Sequence, residues 1–357
     1  MRPLAPPRDL SIPEVGSTTA REVLSHAIAR LLRELRPLLR AHAASAPEDV
    51  AALDAALSRL EDVAPLISVL RKPHVGGLVR TLRGVRPGEG EALLLELLAT
   101  LAADLAHLEA IAPLSLRRAP PRIVSPWTRA GEYHRVEGDI LFALVDNNPL
   151  AMYEAHPDKA GNAIDLGGRD VEAWIDSLRA SLGLVATHLP GLRAEMSLYV
   201  QQFVPVGYFE EKHLSASYRE AIGTIYLSLH PRPMTMVEAV IHEFQHNKLN
   251  ALFESDDVLE NAHEPLYASP VRPDPRPLQG VLLAVHAFLP VARLYERLIE
   301  GGATGLHERY RDIVRINREG TEVLLANARP TALGQGLLDE LARWHAHFAS
   351  DAASRPA

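Results

Sequence analysis

The sequence predicts a mainly α protein with a small antiparallel β-sheet, an α+β arrangement with a helical N-terminal region and a metal-binding helix in its C-terminal part. Two observations predict the helices: Leu- and Ala-rich stretches with helical spacing fill the first third of the chain, and further periodic apolar segments close it. A third predicts the sheet: short β-branched and aromatic runs cluster in the middle, bounded by turn residues. Between the first third and the middle, Arg117-Arg-Ala-Pro-Pro-Arg122 cannot continue a helix. A boundary is therefore expected there, giving a helical N-terminal region over 1–115 and a catalytic domain over 116–357.

In chain order, Val23, Ile28, Leu31, Leu32, Leu35, Leu38 and Leu39 form one apolar stripe. The pattern repeats over 47–70 and 89–111, split by Pro73 and the turn Pro87-Gly-Glu-Gly90, so three or four packed helices are expected. Such a leucine stripe is core before it is anything else. Beyond the connector, 138–146 reads as a strand, Asp146-Asn-Asn-Pro149 as a turn and 171–188 as a helix. Short strands are expected over 196–206, 213–218 and 221–229. Pro277 can open a helix that runs to about 300 with a kink at Pro290, and two more helices, over 305–327 and 331–349, complete the chain.

Between the last strand and Pro277 lies Met236-Val-Glu-Ala-Val-Ile-His-Glu-Phe-Gln-His-Asn-Lys-Leu-Asn250, which carries the HExxH motif His242 to His246. Positions i and i+4 of a helix lie one above the other, so His242 and His246 can bind one metal ion with Glu243 close by. The surroundings favour a helix. Thr235 can cap it, Met236, Val237, Val240, Ile241 and Phe244 give it an apolar face, and the turn His230-Pro-Arg-Pro233 precedes it. A surface helix with two histidines by chance would not need the strand and turn before it.

Two histidines require at least one further protein ligand. Downstream candidates are Glu260, His263, Glu264, Asp274 and His286. Glu264, 18 residues beyond His246, suits a zinc peptidase in which Glu243 is the general base that activates water. It precedes Pro265, however, and therefore sits in a loop or at a helix end. His286 lies in the apolar run Gly280-Val-Leu-Leu-Ala-Val-His-Ala-Phe-Leu289; a lone histidine there is ordinarily a hydrogen-bonded core residue, unless a nearby metal demands a partner.

Composition narrows the function classes. A net charge of -8 without a Lys/Arg block argues against nucleic acid or an acidic membrane surface as principal partner. The absence of cysteine excludes disulfides, thiolate metal sites and thiol catalysis, and fits a cytoplasmic enzyme. The first residues lack the apolar core of a signal peptide, and no segment is expected to span a membrane.

The sequence resembles the HExxH motif-containing peptide-modification proteins of ribosomal-peptide natural-product clusters, the 2-oxoglutarate-dependent peptide β-hydroxylases. The resemblance rests on Asn148-Pro-Leu, His156-Pro-Asp-Lys-Ala-Gly-Asn162, Gly223-Thr-Ile-Tyr-Leu-Ser and Ile241-His-Glu-Phe-Gln-His. Tyr267-Ala-Ser-Pro-Val-Arg-Pro-Asp-Pro-Arg-Pro-Leu278, with the apolar run after it, adds the most weight. It covers 138–297; the N-terminal helices match only in character. The resemblance implies an Fe(II) centre that uses 2-oxoglutarate and O₂ to hydroxylate a side-chain carbon of a precursor peptide. His242, His246 and His286 are then the expected ligands, with Glu264 or Asp274 as alternatives for the third. The distal carboxylate of the keto acid calls for an arginine fork, for which Arg272, Arg276 and Arg293 are candidates. Glu243 could then orient water or a ligand and need not act as a base. The alternative is a zinc metallopeptidase.

Overall fold

The computed structural model describes residues 3–116, 125–127, 129–149, 163–271 and 274–354. Two units divide the chain. One comprises Met1–His26, Ser177–Tyr199 and Arg232–Ala357, and the other Ala27–Asp176 and Val200–Pro231. The division falls within helices α1 (Thr19–Ala41) and α6 (Val171–His188). The connector residues 117–122 lie outside the described residues.

In the second of these units, part of α1 packs with α2 (Pro47–Ser58), α3 (Ala64–Arg71), α4 (Pro73–Arg83) and α5 (Glu91–His107) around Leu31, Leu35, Leu39, Leu53, Leu97 and Leu101. Five helices contribute where three or four were expected. Pro73 does not merely separate helices; it opens α4 in the first turn, where its missing N–H would have no helical partner anyway. Its neighbour His74 is buried and lies 2.9 Å through Nε2 from Asp104 Oδ2, tying α4 to α5.

The same unit holds a five-stranded sheet of β1 (Tyr133–Glu137), β2 (Ile140–Ala143), β3 (Gln202–Tyr208), β4 (Ser215–Ala216) and β5 (Thr224–Leu229), in the order β1-β2-β3-β5-β4. The sheet is small, as expected, but mixed where an antiparallel one was expected. β3 runs parallel to both β2 and β5, and only the edge pairs β1/β2 and β4/β5 are antiparallel. The reason lies at 196–199, read as the start of a strand but folded as the end of α7 (Pro190–Tyr199). Met196 and Tyr199, three residues apart, are both buried on it. With α6 and α7 between β2 and β3, the chain has the long crossover that parallel pairing needs. Every residue of β5 is buried, as befits an inner strand covered on both faces.

The other unit is built from α7, α8 (Pro233–Phe253), α9 (Leu278–Glu300), α10 (His307–Asn327) and α11 (Ala332–Ser354), with parts of α1 and α6. α9 packs against α8 and α10, and α10 also packs against α11. A β-carbon at Gly320 would come 2.4 Å from Val285 Cγ2, so glycine is what allows α10 this close to α9. Two short strands, β6 (Leu266–Tyr267) and β7 (Arg276–Pro277), pair antiparallel ahead of α9. Thr235 does not cap α8: Arg232 is the N-cap and Pro233 takes the first turn. Pro277 likewise precedes α9 as its N-cap residue, and the helix runs on through Pro290. Contrary to expectation, α9 is long and apolar enough to cross a membrane, but 72% of its apolar window is buried among its neighbours.

Candidate metal centre

α8 turns Met236, Val237, Val240, Ile241 and Phe244 into the protein interior, where none is more than 2% exposed. That rotation leaves His242 and His246, a turn apart, half-buried on another face. Their Nε2 atoms are 2.9 Å apart, with the rings nearly perpendicular at 83°. One ligand atom from each of His242, Glu243 and His246 lies within 4.8 Å of the others. Two metal–nitrogen bonds of about 2.1 Å at right angles would place the nitrogens roughly 3 Å apart, so the pair fits a single ion. Burial lowers the pKa of both imidazoles to about 4; at His242 the neighbouring His246 adds to the effect and Glu243 opposes it. Both are therefore neutral at pH 7, the form that binds metal.

α9 forms the neighbouring wall. Phe288, half-buried, stands edge-on to the His242 ring with centroids 5.0 Å apart. His286 is fully buried and neither of its ring nitrogens has a hydrogen-bond partner; Nδ1 of His246 is in the same condition. Burial drives the His286 pKa well below the usual value, and the charge of Lys248 lowers it further. His286 lies outside the cluster of ligand atoms within 4.8 Å of one another. Each buried nitrogen left without a partner costs about 1–3 kcal/mol, which an ion or ordered water would offset. This donor set of neutral imidazoles with an adjacent carboxylate suits a divalent transition metal.

The other expected residues fall elsewhere. Glu264 is exposed and lines an open surface pocket with Asp256, Glu260, His263 and Arg329. Asp274 pairs with Arg276 at 2.8 Å. Arg276 keeps a buried Nε with no partner. Arg293 pairs with buried Glu296 and lies 5.7 Å from the centre of the Trp344 ring. Arg272 is outside the described residues, as is the stretch 150–162, which carried part of the resemblance.

Sequence reasoning missed Phe288, Gln245, Lys248 and Glu340. Lys248 has no exposed surface and its Nζ lies 2.5 Å from Glu195 Oε2. The available signal was the polar set Gln245, Asn247, Lys248 and Asn250 following an apolar face, more polar groups than one solvated side of α8 accounts for. The chain matches no model of a known protein family, and no curated protein matches it.

Proposed function

We propose that this protein is an Fe(II)- and 2-oxoglutarate-dependent oxygenase that hydroxylates a side-chain carbon of a ribosomally made precursor peptide. The observation that carries the metal centre is the 2.9 Å approach of the His242 and His246 Nε2 atoms beside Glu243. The choice of iron and keto acid rests on the sequence resemblance. His242 and His246 hold the ion beside Glu243; His286, buried without partners but outside their cluster, serves as the third ligand once its ring moves toward them. When bound, the iron supplies oxidation by O₂ coupled to decarboxylation of 2-oxoglutarate to succinate. Phe288 shields the His242 side from water with an apolar ring, and Glu243 orients a water or ligand at the ion. Arg276 anchors the distal carboxylate of the keto acid through a guanidinium whose Nη2 pairs with Asp274 and whose buried Nε has no partner.

The test is succinate release from 2-oxoglutarate by anaerobically purified protein given Fe(II) and then air, with and without the precursor peptide encoded nearest its gene. Succinate together with a peptide heavier by one oxygen supports the assignment; no succinate from iron-loaded protein overturns it. A zinc peptidase is the second reading, favoured by the placement of the Glu243 carboxylate beside both histidines. It requires peptide cleavage restored by zinc.

A further inference from the structure

Within the motif, Gln245 has no exposed surface. Its Nε2 donates to two backbone carbonyls on separate segments, Ser11 O at 2.7 Å and His286 O at 3.1 Å. Both acceptors are accounted for by the chain. In a helix the carbonyl of His286 would accept from the N–H of the residue four further on, which is Pro290 and has none. Gln245 supplies the missing donor. Ser11 belongs to an arm ahead of α1, bent over residues 8–12, whose N–H groups are taken by one buried carboxyl group. Glu340 Oε2 accepts from Leu10 at 2.9 Å, and Oε1 from Ser11 at 2.8 Å and Ile12 at 3.2 Å.

The arm is fitted closely on both sides of this contact. A β-carbon at Gly336 would lie 2.6 Å from Pro7 O, and one at Gly191 would lie 2.6 Å from Pro13 O. Arg343 donates to Arg8 O. The backbone at Ser11 is thus held independently of Gln245, which makes its carbonyl a fixed reference for α8.

We propose that Gln245 is a positioning residue of the metal centre, keying the HExxH helix into the carbonyl gap that Pro290 leaves in α9 and onto the N-terminal arm. The inference rests on the metal-centre reading above. Gln245 directly precedes His246, and one residue of α8 corresponds to about 100° of rotation. Fixing its side chain at two points sets the rotation and depth of α8, and with them the approach of His242 and His246 to the His286 and Phe288 side of α9. A spacer of equal length without donors would fill the same volume and leave that setting loose.

The experiment is a titration of the full chain with Co(II), whose visible absorption reports ligand geometry, on wild type, Gln245→Met and Glu340→Gln. Amide exchange at residues 10–12 is measured on the same samples. Gln245→Met is expected to weaken Co(II) binding about tenfold or more and to alter the absorption bands. Restoring a local donor with Pro290→Ala should make the Gln245→Met change less costly to Co(II) affinity, a coupling that general loss of stability would not produce. If Gln245→Met does not fold, Glu340→Gln carries the test: faster exchange at residues 10–12 should accompany weaker Co(II) binding. Unchanged affinity and spectrum in folded Gln245→Met, or in Glu340→Gln with a freed arm, overturn the proposal while leaving the metal centre standing. No Co(II) uptake by wild type removes the metal-centre reading and this inference together.

Discussion

His246 meets His242 nitrogen to nitrogen: their Nε2 atoms stand 2.9 Å apart on successive turns of α8, in rings that burial keeps neutral. Without an ion, one ring must donate its N–H to the other. With an ion, both lone pairs converge on it. We expect one divalent ion per chain, with His242→Ala and His246→Ala each reducing affinity by a hundredfold or more. At a free metal concentration about a hundred times the Kd, binding should stabilise the fold by about 2.7 kcal/mol. A calorimetric scan with and without chelator checks this; a chelator-insensitive Tm would contradict it.

Glu243→Gln separates the two proposed chemistries. A general base contributes roughly 10²- to 10⁴-fold to rate, so a peptidase should lose at least about a hundredfold in cleavage. A hydroxylase in which Glu243 only orients neighbours should keep succinate turnover within about tenfold of wild type. Single-turnover succinate and peptide assays on the same preparation give the answer.

Glu340 gives a stability signature of defined sign. Burial raises its pKa from 4.5 to about 7, against the lowering effects of the Ile12, Ser11 and Leu10 N–H groups and the Lys248 charge. The folded state therefore holds a proton that the unfolded state has released. Its stabilising contribution is full below pH 4.5 and is lost as pH rises to about 7. The whole effect is on the order of 3 kcal/mol. His242 and His246 act in the opposite sense, since their lowered values make stability rise as pH goes from about 4 to 6.5. Subtracting the urea-unfolding profile of Glu340→Gln from that of wild type should isolate the falling limb; parallel profiles would contradict it.

Lys248 and Glu195 form an ion pair with almost no exposed surface, 0% and 4% for the two side chains. Lys248→Met should cost about 3–5 kcal/mol, because it strands a buried carboxylate. Adding Glu195→Gln should recover much of the loss, since no charge is then left unpaired. Urea denaturation of the four proteins of the cycle measures the coupling.

Gly334→Ala should destabilise by about 1–3 kcal/mol, and more if the backbone cannot move. The added carbon would lie 1.8 Å from Val258 O, a backbone atom that cannot rotate away. An unchanged urea midpoint would show that α11 shifts freely here.

Much of this organisation was legible in the sequence because it is local. The four-residue separation of His242 and His246 places them together on any helix. Pro233, the apolar face of α8 and the absence of later breakers make that helix, and the leucine stripe of α1 made the N-terminal core foreseeable. The start of β3 was misread because Met196 to Tyr199 carries apolar residues compatible with either period, and the length of α7 decided it.

What the sequence alone determined, then, is the helical class and the juxtaposition of His242 and His246, since both depend on spacings within one turn or one element. Tertiary structure decided the parallel centre of the sheet, the burial of α9 and the setting of α8 in the fold. Ser11 and Gln245 are 234 positions apart, and Glu340 lies 328 to 330 positions from the amides it holds. No periodicity encodes such contacts. They form because a buried carbonyl or amide must find a partner, and only the packed chain determines which one is within reach.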